Sequence, residues 1–189
     1  MRFTKLLLLL LTVSFQSAGQ NSLWKKNVFN EILSLNIPKT AKYDESSFVK
    51  GFGGEINANY FGFQYYDTIF KPITTEKQFQ LSLTGFMSGR TSDPALKKYN
   101  VTVVDTSVGG TKGLMARFTT NDRSEIYKQI YYYVTIANDH YYLFFVYSTL
   151  LKNKDEEINF FFKSIKVDSE KLKETPFKMA PVHLKKTAD

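Results

Sequence analysis

The chain has 189 residues, 43% hydrophobic and 16% aromatic, enough apolar surface for one domain with a full core, and this excludes wholesale disorder. Its formal net charge is +7, from 25 Lys and Arg against 18 acidic residues. Loss of Arg2 and Lys5 with an N-terminal leader lowers this to +5, the lysine-rich end at 169–189 holds +2, and the remainder is scattered, so no nucleic-acid footprint is expected.

The leader comes first. Arg2 and Lys5 form a basic start, Leu6 to Val13 an apolar run, and Ser17-Ala18-Gly19 supply small residues for cleavage. This is the pattern of a secretory signal peptide over 1–19, cut after Gly19 or Gln20. The apolar run is shorter than the roughly 20 residues that span a bilayer. No later segment is apolar enough to span, so no transmembrane segment is expected after cleavage. Cysteine is absent, which rules out disulfides and a lipid anchor on an N-terminal Cys. Export to the periplasm or the extracellular space of a bacterium is the expected location.

The folded domain is expected over 20–168. Phe29, Leu33, Leu35 and Ile37 alternate and are followed by Pro38, which predicts one strand over 27–38. Residues 39–54 are polar and end in Gly51-Phe52-Gly53-Gly54, read as a turn before a second strand over 55–67. A phosphate-binding loop would need a helix after those glycines, and the pattern that follows is a strand. Thr75 with Gln78 makes a capping box, so a helix starts at Glu76, buries Phe79, Leu83, Phe86 and Met87, and stops near Gly89. The β-branched run 100–106 predicts a third strand. Val108 to Gly113 predicts a glycine turn, and Leu114, Ala116 and Phe118 the inner face of a fourth strand.

The next stretch, residues 127–148, organises the rest. Asn138-Asp139 separates two apolar runs and reads as a two-residue hairpin turn that sets Ala137 opposite His140. One face then carries Ile130, Tyr132, Val134 and Ile136 against Tyr141, Leu143, Phe145 and Tyr147. The other carries Tyr131, Tyr133 and Thr135 against Tyr142, Phe144 and Val146. A sheet half in water shows one polar face. Here both faces are apolar, so both must be covered. A closing helix follows, capped by Asn153, with Ile158, Phe161, Phe162 and Ile165 on one stripe. Residues 169–189 lack periodicity and are expected to be a flexible basic tail.

Three stretches resemble the PsbP-like superfamily, whose fold is shared with a Ran-binding import factor. Ile37-Pro38 is similar to that family's strand-then-Pro opening, Asn138 to Tyr142 to its polar turn followed by Tyr, and Asn159 to Lys166 to its closing helix. The resemblance implies an α+β fold, a single-domain α/β/α sandwich in which a central antiparallel sheet carries helices on both faces. The two-faced hairpin independently asks for the same cover. The resemblance also implies a non-catalytic binding or assembly factor, and it transfers no catalytic residue.

Reactive groups are sparse in the sequence. His140 stands beside Asp139, but neighbours in a turn diverge and there is no Cys nucleophile. His140 and His183 lie far apart, which disfavours a transition-metal site. Asp155, Glu156 and Glu157 suit a helix N-terminus better than a cation loop. Arg117, in an otherwise apolar strand, is expected to face outward. No catalytic residue, metal site or cofactor is assigned. The function expected is that of an exported, non-catalytic binding or assembly protein of the bacterial envelope, with a protein or envelope component as partner. The alternative is a small-ligand binder with an aromatic pocket between a helix and the Tyr131, Tyr133, Tyr142 and Phe144 face.

Overall fold

The structure, a computed structural model, describes residues 23–29, 32–45, 49–66, 73–137, 140–150 and 156–168. The leader, the tail with His183, the Asn138-Asp139 turn, Asn153 and Asp155 lie outside the described residues.

The described residues form ten strands and two α-helices: β1 (Trp24–Phe29), β2 (Leu33–Pro38), β3 (Lys42–Glu45), β4 (Val49–Ile56), β5 (Asn59–Tyr66), α1 (Glu76–Thr91), β6 (Asn100–Val108), β7 (Thr111–Thr119), β8 (Gln129–Ala137), β9 (His140–Ser148), α2 (Glu156–Ser164) and β10 (Lys166–Val167). A single 3-10 turn, Pro94–Leu96, follows α1. Seven strands make one antiparallel sheet in the order β3-β4-β5-β9-β8-β7-β6, and three make a second in the order β1-β2-β10. Among the described residues no helix is long and apolar enough to cross a membrane.

β8 and β9 sit in the middle of the large sheet, and Ala137 does pair with His140. Both faces of this hairpin are buried. On the first face Phe79, Leu83 and Met87 of α1 pack on Leu114, Ala116 and Phe118 of β7 and on Ile130, Tyr132 and Val134 of β8. The capping box that starts this helix is complete, Thr75 Oγ1 accepting from the Gln78 backbone while the Gln78 side chain accepts from the Thr75 N–H.

The second face corrects the expected α/β/α sandwich. Leu33, Leu35 and Ile37 of β2, with Trp24 of β1, lie over Phe61, Phe63, Tyr133 and Phe144, so a three-stranded sheet supplies most of that layer. The nine-residue α2 adds Ile158 and Phe161 beside it. The molecule is therefore mostly antiparallel sheet, with two sheets face to face and one helix on the outer side of the larger. The strand expected over 27–38 is in fact the hairpin β1–β2, in which Phe29 pairs with Leu33. Directly opposed residues share a face, so alternation continues unbroken through the reversal and gives no sign of it.

Two further boundaries move. The glycines of 51–54 lie inside β4, not in a turn, and β4 turns into β5 at Asn57-Ala58, with Asn57 at φ 53°. The strand expected over 55–67 is thus the end of one strand and the whole of the next. At Gly109-Gly110 the prediction of a glycine turn matches the structure: both residues have positive φ, 61° and 88°, as a two-residue hairpin loop requires.

Candidate functional site

β4 and β5 place unusually small residues on the first face of the large sheet. Phe52 and Ile56 turn toward the second face and are buried there, while Gly51 and Gly53 present bare backbone on the first. Gly53 pairs with Gly62 across the two strands. Aromatic rings occupy the room those glycines leave. A Cβ on Gly62 would come within 2.1 Å of Phe145 Cζ, and one on Gly53 within 1.8 Å of Tyr60 Oη. The rings of Tyr60 and Phe145 thus lie down on the sheet, close to parallel at 23° with centroids 6.2 Å apart.

α1 covers β7 and β8 but reaches β5 only through its last turns. The remainder of the first face holds a groove of about 430 Å³ whose base is Gly51, Gly53, Tyr60 and Phe145. Gln64 and Tyr66 of β5 and Arg90 of α1 wall one side, and Asp44 and Val49 the other. Arg90 donates to Tyr66 Oη, and Tyr66 in turn donates to Gln64 Oε1 at 2.7 Å. The guanidinium carbon lies 5.6 Å from the Tyr66 ring centroid and 5.3 Å from that of Phe86. Burial pushes the Tyr66 hydroxyl above its ordinary pKa, with Arg90 pulling the other way; burial does the same to Tyr60.

The side chains expected to line a pocket do not do so. Tyr133, Tyr142 and Phe144 are core, each 2% exposed or less, and Tyr131 packs against them. The space beside them is a void of about 10 Å³, room for one water molecule at most and none for a ligand. The open volume lies on the opposite face of the same sheet.

Arg117 faces outward as expected, donating to Gln129 Oε1 at 2.8 Å with its guanidinium 5.4 Å from the Tyr131 ring. His140 packs against Tyr65 with the rings tilted at 48° and their centroids 5.0 Å apart. Glu157 does more than charge a helix start. Its carboxylate takes the side-chain amides of Asn57 and Asn59, the latter at 2.7 Å, and so ties α2 to the β4–β5 turn. Among the described residues no three His, Cys, Asp or Glu gather in a way that could hold a metal ion.

Sequence reasoning passed over Arg90, Gln64 and the glycine floor. One signal was available: Gly51-Phe52-Gly53 and Phe61-Gly62-Phe63 alternate in step, as strands do, and not as a turn does. The sequence matches no protein-family model and none of the curated proteins searched.

Proposed function

We propose that this is an exported, non-catalytic binding protein of the bacterial envelope that holds a small ligand in the groove between α1 and β3–β5. The carrying observation is the groove itself, a concave, half-apolar surface with a few convergent polar groups, which is the usual build of a ligand site. Its tyrosines support binding over chemistry. Acid–base work needs groups that titrate near the working pH. The tyrosines here are pushed further from that range by burial. Export rests on the leader pattern, and the choice of a small ligand over a protein partner on the size of the groove.

A thermal-shift screen of envelope-derived small molecules tests this, comparing the wild type with Gln64→Trp, which fills the groove from its wall. A ligand should raise Tm in the wild type and lose its effect in the variant. Stabilisation that survives the filled groove, or no hit across the screen, overturns the assignment.

A further inference from the structure

The groove has one charged group that is both partly buried and held in place, and that group defines a ligand class. Arg90 is clamped between Tyr66 and Phe86, with one N–H committed to Tyr66 Oη. A guanidinium has five N–H donors in a fixed plane, suited to a two-point grip on a carboxylate. Among the described residues no Asp or Glu forms an ion pair with Arg90, whereas Lys50 and Lys98 both have carboxylate partners. Holding the guanidinium between two rings fixes its donors in advance, so less side-chain freedom is lost when an anion binds them. Beside Arg90 the base of the groove is flat, because Tyr60 and Phe145 lie on Gly53 and Gly62. A broad-faced ring is the shape that covers such a base.

We propose that the groove binds a small carboxylate carried on a broad-faced ring body, the carboxylate on Arg90 and the ring over Tyr60 and Phe145. This rests on the reading of the groove as a ligand site. Two sources share the chemistry, an aromatic acid and an acidic sugar ring, and the probes separate them.

The full mature chain is titrated by NMR and calorimetry with 4-hydroxybenzoate and glucuronate, alongside their uncharged counterparts 4-hydroxybenzamide and glucose. The expected result is that one acid binds at least about tenfold more tightly than its neutral partner, and that the preference weakens as salt rises. Arg90→Gln should remove the preference, bringing acid and neutral probe to similar affinities. Arg90→Lys, which keeps the charge without the planar fork, should fall between. Equal affinity for acid and neutral probes overturns the inference while leaving the groove a ligand site. No binding by any of the four overturns the inference, and the small-molecule screen then decides the groove independently.

Discussion

Gly53 and Gly62 face one another across β4 and β5, and two aromatic rings lie where their side chains would have been. The pair makes the sheet thin at one place on its first face, and the groove is the result. The two positions differ in what surrounds them, so they should respond differently to the same substitution.

Gly62→Ala pushes into the ring of Phe145, which is only 8% exposed. A loss of about 1–3 kcal/mol in denaturant unfolding is expected, the scale of overpacking. Gly53→Ala meets the hydroxyl end of Tyr60, a half-buried side chain that can swing outward. Its cost should stay under about 1 kcal/mol, while ligand affinity drops because the base tilts. Equal stabilities for the two variants would contradict this account of the floor.

Glu157 holds α2 to the β4–β5 turn through Asn57 and Asn59. Removing the carboxylate in Glu157→Ala leaves the buried amide of Asn59 without that acceptor. A destabilisation of about 1–2 kcal/mol should follow. Hydrogen exchange should show the added opening concentrated in α2 and the 57–58 turn, and uniform loosening of the whole sheet would count against the tie.

Alkaline pH should unfold the protein by a specific route. Tyr132 and Tyr147 share a hydrogen bond of 2.9 Å, and burial raises the pKa of both, as it does for Tyr66 and Tyr133. In the unfolded chain these hydroxyls lose protons near the ordinary value of 10.0 while the folded chain keeps them. The unfolded state therefore binds fewer protons above that pH, so the stability these groups lend is whole below about 10 and declines as pH climbs past it. In an ultraviolet titration, fewer than the 12 tyrosines should ionise before near-UV circular dichroism is lost. Reversible titration of all 12 with the fold intact would refute the burial argument.

Processing is checkable without a ligand. Intact-mass analysis of the protein exported from a bacterial host should show a mature N-terminus at Gln20 or Asn21. Recovery of the chain uncleaved inside the cell would remove the basis for an envelope role.

What could be read in advance was whatever announces itself locally. The pairing of Ala137 with His140, the Thr75–Gln78 box and the apolar stripe of α1 are each set by a few adjacent residues, and the structure has them at those places. The reversal between Phe29 and Leu33 was hidden because opposed residues in a hairpin keep the alternation of a straight strand. That single hidden turn turned an expected helical layer into a second sheet. The groove was illegible for a different reason. Asp44, Gly53, Tyr60, Arg90 and Phe145 come from five separate elements, and the floor depends on side chains that are missing. A cluster of glycines in sequence suggests a turn more readily than it suggests space.

The strand order has one further consequence. β5 ends at Tyr66 and lies against β9, which begins only at His140. During synthesis the first half of the large sheet waits, its edge unclosed, until the last long strand leaves the ribosome, and pairings so distant in the chain form slowly.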